Sequence, residues 1–352
     1  MDHKADDSQQ SIRRQKTLVT GGLGYIGSHT VVELLQLGYE VVIVDNLYNA
    51  SLECLNRIKQ ITGKDDSVIH VEQADLKNQG QLDAVFEKHK PEAVIHFAAL
   101  KAVGESVEKP LDYYENNVGG TINLLKAMLK HNCNMIVFSS SACVYGENPY
   151  CRESDSIGPI NPYGQTKVMC EQIIRDFTAV TPNFSGVSLR YFNPIGAHPS
   201  GLIGEDPKDI PNNLMPYIQR VASGRLPHLN VFGSDYPTVD GTGVRDYIHV
   251  VDLAHGHIVC LEKQEQLRGN HVYNLGSGRG TSVIELVKAF EKASGVEIKT
   301  VMQPRRAGDA IQITACVDKI SSELGWKTKY SIEEACRDSA NWVKNNPNGF
   351  SS

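Results

Sequence analysis

No run of about 18 apolar residues occurs in this 352-residue chain, so nothing in it reads as a membrane span. Positive charge is not in excess: 35 Lys and Arg stand against 41 Asp and Glu, for a net charge of -6, which argues against a nucleic-acid scaffold and its basic face. One small basic pocket for a phosphate pair stays compatible with that balance. The eight cysteines (54, 133, 143, 151, 170, 260, 316 and 336) contain no Cys-x-x-Cys pair, which excludes the common zinc spacings and points to reduced thiols. Residues 1–16 lack the apolar core of a secretion signal and read as a polar, flexible leader. A cytosolic protein follows as the expectation.

What the chain does have is alternation. From Lys16 to Phe138, short β-branched runs are separated by longer amphipathic stretches, the pattern of a parallel sheet wrapped by crossover helices. Strands are predicted at 17–20, 40–44, 67–71, 93–97 and 135–138, with helices starting near Gly27, Gln79 and Leu111. A sixth strand is predicted at 186–191, after a helix that carries Tyr163. Beyond Phe192 the texture turns proline- and glycine-rich, which marks the start of a second lobe. Helices near 251–263 and 282–293, with a strand at 271–274 between them, make the lobes discontinuous in sequence. The expected fold is thus α/β: a Rossmann-type doubly wound parallel sheet over 17–192, receiving roughly 246–268 as well, and a smaller α/β substrate-binding lobe mainly from 193–352.

Three glycines, Gly21, Gly24 and Gly27, follow the first strand at G-x-x-G-x-x-G spacing and open a helix. A tight turn and a close pyrophosphate approach need residues without Cβ, and free amides at a helix N-terminus favour phosphate charge. Asp45 ends the second strand 18 residues after Gly27, where its carboxylate can accept from ribose hydroxyls. An acid there repels a 2′-phosphate, so the pattern favours NAD over NADP. Asp75, after the third strand, is placed to meet the adenine and reads equally well as a helix N-cap.

Tyr163 and Lys167 are four residues apart and share a helix face. An ammonium ~4 Å from a phenol, at an effective dielectric of ~20, favours the phenolate by about 4 kcal/mol, roughly three pKa units. That makes Tyr163 a candidate base near neutrality. An isolated Tyr-x-x-x-Lys is commonly no more than a solvated pair; the glycine fingerprint before it, and Ser141 at the carboxyl edge of the fifth strand, favour chemistry. Ser141 can share the proton with Tyr163 or cap a helix.

Longer segments carry a resemblance. Residues 20–30, 45–47, 96–107, 189–201, 204–207, 210–217 and 240–250 closely resemble the UDP-glucose 4-epimerases, a branch of the extended short-chain dehydrogenase/reductase family, with the likeness running from about Thr17 to Phe350. The resemblance implies tightly held NAD, UDP-galactose and UDP-glucose as substrates, and a homodimer built on helices near 111–131 and 161–180. It implies that Tyr163 removes the proton of the sugar 4-hydroxyl while the C4 hydride leaves, and that the 4-keto sugar then takes the hydride back on its other face.

Carried over position by position, the resemblance assigns Tyr25, Ile26, Asp45, Asn46, Leu47, Asn49, Ser51, Asp75, Leu76, Phe97, Ala98, Ala99, Lys101, Asn116, Ser141, Tyr163, Lys167 and Phe192 to cofactor or catalysis. Asn193, Asn213, Leu214, Asn230, Val231, Phe232, Arg245, Arg306 and Asp309 fall to the UDP-sugar, together with Lys101, Ser141 and Tyr163. Planar guanidinium forks at Arg245 and Arg306 suit a diphosphate on chemical grounds too.

Three positions depart from the family pattern. Cys143 replaces a usual Thr near the sugar, Ala99 replaces a common Gly beside the cofactor, and the loop between Tyr145 and Tyr163 is shortened. The family's gate for N-acetylated sugars falls on Ile313, which leaves those sugars undecided. Two other readings compete: a nucleotide-sugar 4,6-dehydratase or decarboxylase, which would carry an Asp-Glu pair where Ala142-Cys143 stands, and a catalytically silent NAD or sugar sensor, which would commonly have lost Tyr163 or Lys167.

Overall fold

In a computed structural model describing residues 15–208, 211–306 and 310–351, seven strands form one sheet. They are β1 (Lys16–Thr20), β2 (Glu40–Asp45), β3 (Ile69–Gln73), β4 (Ala93–His96), β5 (Met135–Ser141), β6 (Ser185–Tyr191) and β7 (Gly269–Leu275). Their order is β7-β6-β5-β4-β1-β2-β3, and every adjacent pair is parallel. The order reverses between β4 and β1. At such a switch point the connections leave on opposite faces and open a crevice at the carboxyl ends of the strands.

The sheet is apolar on both sides, as a parallel sheet covered by helices must be. Val19, Ile43, Ile95 and Val137 enter one core with the helices Tyr25–Gln36 and Val250–Glu262. Their neighbours Leu18, Val42, Val94 and Ile136 enter a second core with Gln79–His89, Gly120–Lys130 and Pro162–Val180. One residue of strand separates the two faces, so the period of two fixes which side chains reach which helix layer.

Apart from the main sheet there is a small mixed sheet in which Val244–His249 pairs with Asn193–Ile195, Gly280–Ser282 and Gln312–Ala315, and the last of these with Tyr150–Cys151, which lies within the 17–192 stretch expected to belong wholly to the first lobe. A parallel pair, Leu229–Phe232 and Thr300–Gln303, lies beside it. The helices Leu214–Ala222, Val283–Ser294 and Ile332–Asn345 pack a third core there.

Several expectations move. The third strand begins at Ile69 rather than Ser67, because Asp65 accepts from the amide and hydroxyl of Ser67 and its carbonyl takes the Val68 amide, closing a turn first. The stretch expected as one helix from Leu111 starts at Pro110 and carries a π-helical segment, Tyr114–Gly119, before Gly120–Lys130. The helices Leu52–Thr62, Val103–Glu108, Leu214–Ala222, Asp318–Leu324 and Ile332–Asn345 were not anticipated; the first is announced by Ser51, whose hydroxyl caps the Glu53 amide, and by Gly63 in the left-handed region. The strand expected at 271–274 is β7, an edge of the main sheet beyond the 246–268 stretch expected to return to it.

Candidate active site

The crevice is a single cleft of about 1170 Å³, larger than a site for one drug-sized ligand. Its floor starts at the turn after β1. Gly21 has φ +66°, and a Cβ there would stand 2.9 Å from the Ala98 amide nitrogen; a Cβ on Gly27 would stand 2.2 Å from the Gly21 carbonyl oxygen. Only hydrogen fits at either place. The helix Tyr25–Gln36 has Gly24 as its N-cap with no side-chain cap, and its first turn holds no acidic residue, so its amides and dipole face the cleft uncompensated. This cradle fits a dinucleotide pyrophosphate.

Asp45 closes the far side of the turn. One carboxylate oxygen accepts the Leu23 amide at 3.2 Å and the other the Leu47 amide at 2.9 Å, the latter residue lying at φ +61°. Burial raises the pKa of this carboxyl, and the two amides pull against that. Asn46 donates to Asp75 at 3.1 Å, and Asp75 also accepts the Lys77 amide at 2.8 Å. The two adenosine candidates therefore form one polar wall.

Tyr163, Lys167 and Ser141 come together at the carboxyl edge of β5. Lys167, on the helix Pro162–Val180, donates from Nζ to the Ser139 carbonyl oxygen at 2.7 Å, with that nitrogen 4.9 Å from the Phe138 ring centroid and 5.7 Å from that of Tyr163. Ser141 caps the Cys143 amide with its hydroxyl at 3.2 Å and lies on the cleft beside Tyr163, where it acts to lower the pKa of the phenol.

The electrostatics differ from the expectation that the lysine brings the phenol toward neutrality. Burial pushes Tyr163 well above its ordinary pKa, with the nearby Cys143 adding to the rise and Ser141 opposing it. Burial also draws Lys167 down to about 8. The physical reason is shared desolvation: the ammonium is committed to a backbone carbonyl and sits in the same dry wall as the phenol it was expected to acidify. Behind them His96 is held neutral, its pKa lowered to about 3 by burial, between the hydroxyls of Thr20 and Thr121.

The other wall belongs to the second lobe. Asn193 donates to the Asp246 carbonyl at 3.1 Å, Asn213 is the N-cap of Leu214–Ala222, and Asn230, Val231 and Phe232 line the cleft from their strand. The Arg306 guanidinium lies 4.5 Å from the Phe232 ring centroid, and Arg245 is aimed by the carbonyls of Val244 and Ala310, both at 2.9 Å. Phe192 reaches the cleft between the lobes, as do Tyr25, Ile26, Asn49, Ser51, Leu76, Phe97, Ala98, Ala99, Lys101 and Asn116.

Among the described candidates, Leu47 lies off the cleft lining and packs on the first core; Asp309 is outside the described residues. Ile313 packs with Val144 and Phe192, also off the lining. Sequence reasoning missed Glu205 and Lys208. Glu205 is buried and meets Lys101 at 3.0 Å, while Lys208 Nζ donates to the Leu47 carbonyl at 3.1 Å and to that of Tyr48 at 2.6 Å. A run of Gly, Glu, Asp, Pro and Lys at 204–208 in an irregular stretch was the available signal.

Comparison with known proteins gives a consistent result. A model of the NAD dependent epimerase/dehydratase family matches residues 17–276. UDP-glucose 4-epimerase of Bacillus subtilis is 57% identical over 337 residues, covering 95% of this chain and 98% of that protein. A bifunctional UDP-glucose and UDP-xylose 4-epimerase of Arabidopsis thaliana is 54% identical over 96% of this chain and 97% of its own. The crystal structure of UDP-glucose 4-epimerase from Bifidobacterium longum, in complex with NAD+ and UDP, superposes with a TM-score of 0.90 at 50% identity, covering 95% of this chain and 99% of that one.

Proposed function

Because the chain belongs to the NAD dependent epimerase/dehydratase family, we propose that it interconverts UDP-galactose and UDP-glucose by inverting C4 of the sugar through a transient 4-keto intermediate. It is an NAD-dependent isomerase. The observation that carries this reading is the placement of Tyr163, Ser141 and Lys167 on the cleft between a glycine cradle and a wall bearing Arg245, Arg306 and Phe232.

NAD, when bound, supplies a hydride acceptor and donor for C4, and its oxidised ring brings positive charge to the cleft. The cradle of Gly21, Gly24 and Gly27 would hold its pyrophosphate and Asp45 its ribose hydroxyls, with Asn46 and Asp75 toward the adenine. In our reading the Tyr163 oxygen, as phenolate, takes the proton of the sugar 4-hydroxyl to become the phenol and later returns it, with Ser141 sharing that proton over a short path. The Lys167 ammonium favours the phenolate, and since burial opposes it, the phenol depends on every positive charge that gathers beside it. Arg245 and Arg306 would neutralise the UDP diphosphate, and Phe232 would offer a face to the uracil ring. A sugar tethered only through its diphosphate is free to turn and present either face.

The two-lobe division, with 17–192 and the returning 246–268 segment on NAD and mainly 193–352 on the UDP-sugar, is part of the proposal. So is a homodimer through the helical stretch 110–130 and Pro162–Val180, which leave Leu111 and Val180 each 78% exposed. We place the protein in the cytosol, in keeping with eight free cysteines and with no helix, among the described residues, long and apolar enough to cross a membrane. The test is incubation of the NAD-replete protein with UDP-galactose, separation of the nucleotide sugars, and Tyr163→Phe as control. UDP-glucose should accumulate to equilibrium with the unaltered chain and not with the variant; no UDP-glucose from the unaltered chain would end the proposal.

A further inference from the structure

Three consecutive residues of β5 meet one face of the helix Pro162–Val180. Ser141 meets Tyr163, the carbonyl of Ser139 meets Lys167, and Ser140 meets Glu171. The helical partners are at i, i+4 and i+8, the spacing of one stripe. Two of the three belong to the chemistry above; in the third, Ser140 lines the cleft while Glu171 lies off its lining.

Glu171 reaches instead into a row of buried polar side chains that crosses the sheet. Ser140, Arg190 and Asn274 are register partners on β5, β6 and β7, each at most 3% exposed. One carboxylate oxygen of Glu171 accepts from the Ser140 hydroxyl and from Arg190 Nε at 3.0 Å, and the other accepts from Arg190 Nη2 at 2.7 Å. Arg190 Nη1 donates to the Tyr145 hydroxyl at 2.9 Å, which donates to Asn274 Oδ1 at 2.7 Å. Asn274 Nδ2 then donates to the carbonyls of Cys151 and Cys316, at 2.9 and 3.1 Å, at the small mixed sheet.

A buried ion pair is poor evidence for stability, since desolvating both charges costs as much as their attraction returns and apolar replacements of like volume are often neutral. What a fully satisfied network does supply is a fixed geometry. Here one carboxylate ties the helix to two adjacent strands at once, one turn from Lys167 and two from Tyr163. Apolar contacts alone tolerate small sliding of a helix over a sheet, and a misplacement of about 1 Å at a reacting group costs on the order of a hundredfold in rate.

We propose that Glu171 and Arg190, with Ser140, are positioning residues that set where Tyr163 and Lys167 stand over β5. This rests on the epimerase reading. The test is steady-state kinetics with UDP-galactose on Ser140→Ala, which removes one hydrogen bond, and on Glu171→Asp, which keeps the charge but is too short to reach both strands. In both, kcat should fall roughly tenfold or more while KM stays within about twofold and NAD content is unchanged, the signature of lost alignment rather than lost binding. If Glu171→Asp fails to fold, Ser140→Ala decides. A kcat within about twofold of the unaltered protein, or a loss that only tracks released NAD or unfolding, overturns the proposal. An unaltered protein inactive on UDP-galactose would instead overturn the reading beneath it.

Discussion

Lys167 points its ammonium at the carbonyl oxygen of Ser139, 2.7 Å away, with the Tyr163 ring centroid at 5.7 Å. The lysine is thus a buried cation held by backbone, and its proton is loosened: its pKa falls from 10.5 to about 8.

That shift sets a stability prediction. Between about pH 8 and 10.5 the unfolded chain holds more of this proton than the folded chain, so stability contributed by this site rises with pH across that window. At pH 7 the buried ammonium is a cost, and Lys167→Met should raise stability there by about 2 kcal/mol, after the lost hydrogen bond is allowed for. The gain should shrink as pH approaches 10.5, measured by urea unfolding at several pH values, while epimerisation is largely abolished. A variant less stable than its parent at pH 7 would contradict the burial argument.

The same group shapes the pH–rate profile. An ammonium that favours the phenolate is lost as pH rises through about 8, so kcat/KM for UDP-galactose should decline on the alkaline side near that value. An alkaline limb in the lysine's ordinary range would show that bound ligands re-solvate or re-pair the group.

Gly27→Ala tests the cradle. The added Cβ would meet backbone, 2.2 Å from the Gly21 carbonyl oxygen and 2.8 Å from the Gly22 Cα, and neither can swing aside. Purified variant should carry little NAD, read from the absorbance of the cofactor released on denaturation, and should lose about 1–3 kcal/mol of stability. Full NAD occupancy would place the pyrophosphate elsewhere.

Cys143→Thr addresses the departure beside Ser141. Cys143 lines the cleft and its amide is capped by the Ser141 hydroxyl. A threonine returns a hydroxyl donor worth about 1 kcal/mol, so kcat on UDP-galactose should rise roughly fivefold. An unchanged or lower rate would mean that the thiol position makes no polar contact with the sugar.

How far the sequence carried these conclusions depends on the range of the interaction. Gly21, Gly27 and Asp45 were legible because a dinucleotide turn is built from neighbours in the chain, and Tyr163 and Lys167 because a helix repeats every 3.6 residues. The first six strands were legible for the same reason, their β-branched runs being local. Glu171 and Arg190 were not: each looks like a surface charge until β5 and β6 align Ser140 with Arg190. The sequence likewise placed Lys167 beside Tyr163 without revealing that Ser139 holds its ammonium or that burial would govern both pKa values. For Lys208 the irregular run at 204–208 was the only signal, and nothing in it pointed to the Leu47 and Tyr48 carbonyls it binds more than 150 residues away. The π-helical turn at Tyr114–Gly119 is a local feature with no sequence rule to announce it.

The most direct test follows the hydrogen on C4. UDP-galactose carrying deuterium at C4 should give UDP-glucose with that deuterium retained at C4 in ordinary water, because the hydride leaves and returns within one cleft, and Tyr163→Phe should form almost no product. Washing-out of the label into solvent, or undiminished turnover by Tyr163→Phe, would contradict the account.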